Sequence, residues 1–368
     1  MTPLRIAHFH STLPEPGRKV GGVEVFVHRL ANRLFDRGHE VTMFTFGVKP
    51  DDARYHVISP GPSWLAARRT TRLTLAPLAL NRLPQSRFDV LHLNGDDWFM
   101  GRRTIPTVRT FYGSALFEAR TATSLRRRLS QSLVYPFEVV ASRLATVSFD
   151  IGSDLPRGYR THGSLALAVT DPTPADGTDR TLHPSVLFVG TWEGRKRGAF
   201  LADRFAAEVL PRHPQARLMM VSDRCEERPG LTWIRFPSDE EMSRLYRSAW
   251  LFCMPSTYEG FGMPYLEAMT HDLPVVASPN PGAQLVLKGG AGVLAADDDL
   301  GDALAKLLAD EGARRRLAAA GRARADDFSW DRVLTEHETA YEQAIAVFAT
   351  PSSSSGRLAA AQRRGGAR

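Results

Sequence analysis

Residues 255–269 read PSTYEGFGMPYLEAM. Two glutamates, Glu259 and Glu267, are separated by the turn Gly260-Phe261-Gly262 and by Met263 and Pro264. Proline suits a first helical turn because its missing N–H would have no acceptor there. The run LFCMPS before the turn reads as a strand and PYLEAMT after it as a helix, which puts both acids at the carboxyl edge of a sheet. Glu259 falls at the strand end and Glu267 in the first helical turn. The free N–H groups of a helix start attract anions, and Gly260 and Gly262 let the backbone come close to a ligand. An anion held by amides and a polyhydroxyl group held by acids is the chemistry of a nucleotide sugar, with its diphosphate, sugar and ribose. The plainer alternative is an ordinary helix N-terminus with Glu267 as a capping acid.

The elements that must position these residues alternate along the chain. LRIAHF reads as a strand and VEVFVHRLANRLFDRG as a helix, with apolar residues at three-and-four spacing and a closing glycine. Strands EVTMFTF, FDVLHL and TVRTF, a helical region around SLRRRLSQSLVYPFEVVASRL and strand ATVSF follow. Residues 171–184 are rich in Pro, Thr and Asp and read as a linker. The alternation then restarts with SVLFVG, GAFLADRFAAEVL, ARLMMVS, LTWIRF, DEEMSRLYRSA, LFCMP and PVVAS. Helices follow at 299–310, 312–325 and 331–348, and residues 350–368 form a low-complexity tail expected to be disordered. Such alternation predicts parallel sheets covered on both faces. The expected domains are 1–170, joined by the returning helix 331–348, and 185–330, with a cleft at the carboxyl ends of both sheets.

The chain has 368 residues, 43% hydrophobic and 24% charged, the profile of a globular enzyme of two domains. Cys225 and Cys253 cannot build a disulfide framework and suit a reducing cytosol. No apolar run approaches the ~20 residues of a membrane span. The expected location is cytoplasmic, with peripheral contact at the inner membrane face as the further option. The net charge is +7, and residues 61–130 hold twelve arginines against Asp89, Asp96, Asp97 and Glu118. A solvated face is the first reading of that patch; an anionic membrane or acidic acceptor is the second. Arg68, Arg69, Arg72 and Arg126 to Arg128 beside Trp64, Leu65 and Leu125 favour the membrane option. No RNA-binding aromatic signature, zinc-finger spacing or basic zipper surrounds the arginines, and no nucleic-acid partner is expected.

Taken whole, Glu259-Gly260-Phe261-Gly262-x4-Glu267 resembles the donor-binding motif of retaining glycosyltransferases of the GT-B fold, family 4. Gly21-Gly22-Val23-Glu24, after the first strand, resembles the family's glycine loop. GTWEGRKRG resembles its phosphate-binding stretch: Lys196 matches the lysine, while Thr191 stands where an arginine is usual, leaving Arg195 or Arg197 to replace that charge. PSDEEMSRLYRSAWLFCMPS and NPGAQLVL resemble the segments flanking the motif, with Gln284 where an acid is frequent. In the first domain Tyr112 replaces a histidine, and Asn94 stands where a second one is common.

The resemblance implies two Rossmann-like domains facing a central cleft, with a C-terminal helix crossing back to the first. It also implies transfer of a sugar from a nucleotide-diphosphate sugar to a carbohydrate, lipid-linked or small-molecule acceptor hydroxyl, with retention of configuration. Glu259 would hold donor-sugar hydroxyls, the amides of Phe261, Gly262 and Met263 the sugar and phosphate oxygens, and Glu267 the ribose. Lys196 would neutralise the diphosphate, Gly21 and Gly22 would face donor and acceptor, and Tyr112 would lie near the reacting centre. No metal or other cofactor is expected, because Asp96-Asp97 lies in the other domain from these phosphate-binding elements. Coupling to an amine or pseudo-sugar acceptor, and nucleotide-sugar binding without turnover, are the alternatives.

Overall fold

The structure, a computed structural model, describes residues 2–15, 21–62, 64–67, 71, 75–122, 124–152, 155–169 and 180–350. Most of the expected linker, the tail 351–368 and Arg68, Arg69 and Arg72 lie outside the described residues.

Among the described residues, twelve strands form two parallel six-stranded sheets. The first runs β3(His56–Ile58), β2(Glu40–Phe44), β1(Arg5–Phe9), β4(Val90–Leu93), β5(Thr107–Phe111), β6(Val147–Asp150). The second runs β12(Val293–Leu294), β11(Val275–Ala277), β10(Leu251–Met254), β7(Ser185–Gly190), β8(Arg217–Ser222), β9(Leu231–Ile234). Both have the doubly wound order in which the chain reverses direction beside the first strand, opening a crevice there at the carboxyl ends. The switch points are β1/β4 and β7/β10. Every residue of β4, β5 and β10 is buried, as a strand sandwiched between helix layers must be. The edge strands β3 and β12 were not expected: three and two residues are too few to show a hydrophobic period.

The helices are α1(Gly22–Asp36), α2(Ala115–Thr121), α3(Leu125–Leu144), α4(Gly198–Arg204), α5(Asp239–Ser248), α6(Met263–Thr270), α7(Pro281–Val286), α8(Leu300–Ala309), α9(Glu311–Ala325) and α10(Trp330–Ala349), alongside shorter turns. Residues 180–184 are bound to the second domain: the Thr181 N–H donates to the Ser248 carbonyl at 2.9 Å, and the Arg180 guanidinium donates to the carbonyls of Ala249 and Asp272.

Helix α10 crosses back to the first domain. Its Tyr341 hydroxyl lies 3.0 Å from His92 Nδ1 and 3.3 Å from His8 Nε2. Trp330 stacks on Phe26 with 5.7 Å between ring centres. Arg37 bonds Glu338 at 2.8 Å and Asp331 at 3.1 Å, and Glu336 accepts from the Ala166 N–H at 3.0 Å. His8, His92 and His337 are completely buried beneath this helix. Burial pushes His8 down to about 3 and His337 down to about 4, and holds His92 well below its ordinary value. Burial thus favours the neutral imidazole at all three positions.

Candidate active site

The site is assembled where β7 and β10 end. After Gly190 the chain turns through Gly194–Lys196 and enters α4. After Met254 it runs through the glutamate motif into α6. The two loops are stitched together, since the Thr257 N–H donates to the Arg195 carbonyl and the Arg195 guanidinium to the Tyr258 carbonyl, at 2.9 and 2.8 Å. Asn280 anchors the second loop from behind. Its side-chain amide donates to the Ser256 carbonyl at 3.1 Å, and its oxygen caps α7 through the Ala283 N–H at 3.0 Å.

Two cations converge on one carboxylate oxygen. Glu259 Oε1 lies 2.8 Å from Arg195 Nη1 and 2.9 Å from Lys196 Nζ, and the Glu259 side chain is 7% exposed. Burial pulls the Glu259 carboxyl up, but Lys196 and Arg195 together outweigh it and hold the group below the usual carboxylate range. Burial also pulls the Lys196 ammonium down, against the attraction of Glu259, with Arg195 adding to the fall. The cluster therefore carries more positive than negative charge in a place sheltered from water. That excess favours an anionic group held beside it.

The start of α6 adds to that field. Its cap, Gly262, has φ 93°, a left-handed conformation that a side chain would strain. A Cβ there would also meet the Tyr265 ring at 2.4 Å. The first N–H groups of a helix lack the usual intrahelical acceptor; in α6 Pro264 has no N–H and that of Tyr265 donates to the Gly262 carbonyl at 2.9 Å, which leaves the Met263 amide at its amino end. Phe261 is buried, its ring edge-on to Phe328 at 5.3 Å.

Glu267 departs from its expected place. Because the helix starts at Met263, Glu267 falls in the second turn, and no acid occupies the first. It is half-buried and accepts from the Tyr246 hydroxyl of α5 at 2.8 Å. Arg197 does not join the cluster either. Its guanidinium grips Asp297 with two bonds of 2.8 and 2.7 Å and lies over the Phe200 ring. Of the two arginines considered for the charge absent at Thr191, Arg195 is the one at Glu259.

The first domain meets this edge directly. Gly260 lies so close to the Tyr112 carbonyl that a Cβ would stand 2.7 Å from it. A Cβ on Gly22 would lie 3.7 Å from Met263 Cγ, and one on Gly113 equally near the Tyr258 hydroxyl. Gly21 is the cap of α1, and its N–H donates to Glu24 Oε2 at 2.6 Å, while Thr12 donates to Glu24 Oε1 at 2.6 Å. Tyr112 is half-buried, packs edge-on to Phe26, and donates its hydroxyl to Asn94 Oδ1 at 2.6 Å. Burial raises its phenol beyond the ordinary range, so it remains a neutral donor.

Asp97 is buried and paired with Arg109 at 2.6 Å and Arg103 at 3.1 Å; Asp96 accepts from Ser11. Among the described residues, no group of three or more His, Cys, Asp and Glu is placed to hold a metal ion. Three further residues belong to the site without having been expected. Tyr258 touches Gly113 and packs on Phe117 at 5.6 Å, its phenol pushed up to about 12 by burial. Glu118, on α2, adds negative potential at Arg195. Tyr246 orients Glu267. Only Tyr258 had a local signal, its place beside Glu259.

Two family models cover most of these elements: Glycosyl transferases group 1 matches residues 183–310, and Glycosyltransferase Family 4 matches residues 20–163. The MMP alpha-(1->4)-mannosyltransferase of Mycolicibacterium hassiacum is 31% identical over 66% of this chain, and the match spans 60% of that relative's length. A D-inositol 3-phosphate glycosyltransferase of Corynebacterium jeikeium is 27% identical over 93% of this chain and 97% of its own. Among solved structures, sucrose-phosphate synthase from Thermosynechococcus elongatus superposes with a TM-score of 0.72 at 20% identity, covering 93% of this chain and 99% of that one. Sheet order, returning helix and family match agree: the fold is GT-B, and the chain belongs to the group 1, family 4 glycosyltransferases.

Proposed function

We propose that the chain moves a sugar from a nucleotide-diphosphate sugar to an acceptor hydroxyl with retention of configuration. The observation that carries this reading is the convergence of Arg195 and Lys196 on Glu259 at the amino end of α6. An excess of positive charge and free amides at one point suits a diphosphate, and a flanking carboxylate suits sugar hydroxyls.

In the proposed reaction the bond between the anomeric carbon and the leaving phosphate oxygen breaks, and its electron pair stays on that oxygen. Lys196, Arg195 and the amides of Phe261, Gly262 and Met263 stabilise the charge as it develops. The acceptor oxygen attacks from the same face, and its proton passes to the leaving phosphate. Glu259 orients donor-sugar hydroxyls, and Glu267, braced by Tyr246, binds the ribose. Gly22, against Met263, leaves room for donor and acceptor. Tyr112 lies near the reacting carbon, its O–H donated to Asn94 and its oxygen left to accept. A double displacement would need a nucleophilic carboxylate on the opposite sugar face, and no residue is assigned to that role. With cationic side chains and a helix start at the diphosphate, the proposed reaction requires no metal.

The test measures release of nucleoside diphosphate from a panel of nucleotide sugars, in excess EDTA, with alcohol and amine acceptors. Proton NMR of the product reads its anomeric configuration. Release with an alcohol acceptor and retained configuration is expected. Inversion would overturn the stereochemical reading, and turnover with amines alone would favour coupling to an amine acceptor.

A further inference from the structure

Helix α3 carries an apolar stripe that is left exposed among the described residues. Leu125, Leu129, Leu133, Phe137, Val140 and Leu144 recur at steps of three and four, the spacing of one helix face. All six are exposed, Leu125 by 71%, Leu129 by 58% and Leu133 by 69%. The opposite face is the one that packs, through Val134, Ala141 and Ser142. The stripe continues sideways: the Phe137 ring meets Phe99 at 5.0 Å, and Asn81 bonds the carbonyls of both Phe99 and Leu78 at 3.1 Å. Leu78 is itself 51% exposed. Soluble monomers rarely leave so long a contiguous apolar surface to water.

The charges beside the stripe have one sign. Arg126 and Arg128 are exposed and form no ion pair among the described residues, and Arg143 donates only to the Gly158 carbonyl, at 3.1 Å. The one acid on the helix, Glu138, is turned inward to the Tyr159 hydroxyl and the Ala115 N–H. Glu118 is engaged by Arg127 at 3.2 Å and by Gln131 at 2.8 Å. An apolar face bordered by unneutralised arginines suits the boundary between acyl chains and anionic headgroups.

We propose that α3 docks this chain onto an anionic lipid bilayer, with the leucine face entering the headgroup boundary and Arg126, Arg128 and Arg143 contacting lipid phosphates. The surface adjoins the cleft, because Glu138 also anchors α2, whose Phe117 packs on Tyr258. Leu65, grouped with the arginines on sequence grounds, takes no part, since it is buried in the first domain's core.

The test is flotation of the full chain with vesicles of phosphatidylglycerol mixed into phosphatidylcholine, and with phosphatidylcholine alone. It is run for wild type, Leu129→Gln/Leu133→Gln and Arg126→Glu/Arg128→Glu, each checked by circular dichroism for an unchanged fold. Exposed positions on a helix otherwise held by its buried face tolerate such changes. The proposal expects wild type to float with the anionic vesicles. It also expects retention to fall roughly tenfold or more in each variant and to weaken with added salt. Absence of wild type from both floating fractions would overturn it, and so would equal flotation with neutral vesicles. So would light scattering that finds a dimer which Leu129→Gln/Leu133→Gln dissociates, since the stripe would then be a self-interface.

Discussion

Glu259, Arg195 and Lys196 are one unit, and their substitutions report on different parts of it. Glu259→Ala removes the sugar-side acceptor and leaves two cations without their partner. The loss of charged hydrogen bonds worth about 1.5–3 kcal/mol should lower kcat/KM by roughly 10- to 150-fold, mostly in kcat. Glu267→Ala should weaken donor binding by a similar energy, seen as a raised Kd in calorimetry, with kcat at saturation less affected. Tyr246→Phe should reproduce a milder form of the Glu267 effect, because it removes only the 2.8 Å brace. Wild-type kinetics in both glutamate variants would contradict the assigned roles. Tyr112→Phe should slow turnover by about the worth of one neutral hydrogen bond, ~0.5–1.5 kcal/mol, with melting temperature little changed. Glu259 with the α6 start, and Lys196, were legible because each falls in a short contiguous stretch, residues 255–269 and 190–198. Tyr246 and Glu118 were not, because their meeting with Glu267 and Arg195 is made by the packing of separate helices.

At the scale of elements, the glutamate loop is shaped by the helix behind it. A Cβ on Gly282 of α7 would stand 2.5 Å from the Phe261 carbonyl and 2.9 Å from Glu259 Cβ. Gly282→Ala must therefore displace the loop, and activity should fall further than the melting temperature suggests. Normal kcat with normal KM in that variant would contradict the claim that α7 sets the loop's position. Helix α10 gives a second prediction. His8 and His337 are held neutral in the fold, at about 3 and about 4 against an ordinary value near 6.5. The unfolded chain takes up protons on both below about pH 6.5, while the folded chain does not. Stability should thus be full above that pH and fall as pH drops toward 4, by up to about 1.4 kcal/mol per pH unit for each histidine. Urea midpoints measured at pH 7 and 5 would read this, and a flat profile would contradict it. The main strands and long helices were legible from their periods. The strands β3 and β12 and the short helices α2 and α7 were not, since their few residues draw stability from neighbours rather than from local pattern.

Across the whole molecule, the two sheets repeat one winding, and their switch points face each other across the contacts of Tyr112 with Gly260 and Gly22 with Met263. This placement turns two ordinary crevices into one site. The second domain was the more legible because the elements proposed to hold the donor are set by backbone geometry and charge at fixed spacing. The first domain's face of the cleft is built from side chains such as Asn94, Tyr112 and Phe117, whose partners are set by tertiary packing. Activity should persist in excess EDTA, since Arg195, Lys196 and the α6 amides are proposed to carry the diphosphate. Loss with chelator, restored by magnesium or manganese, would contradict that part of the mechanism. The most direct measurement of the central claim is a thermal-shift panel of UDP, GDP, TDP and ADP sugars in EDTA, run on wild type and on Lys196→Ala. One nucleotide class should stabilise the wild type, by roughly 2.7 kcal/mol at about 100 times its dissociation constant, and this shift should largely vanish in Lys196→Ala. No shift with any nucleotide sugar, or an equal shift in both proteins, would contradict the assignment of this cluster as the donor site.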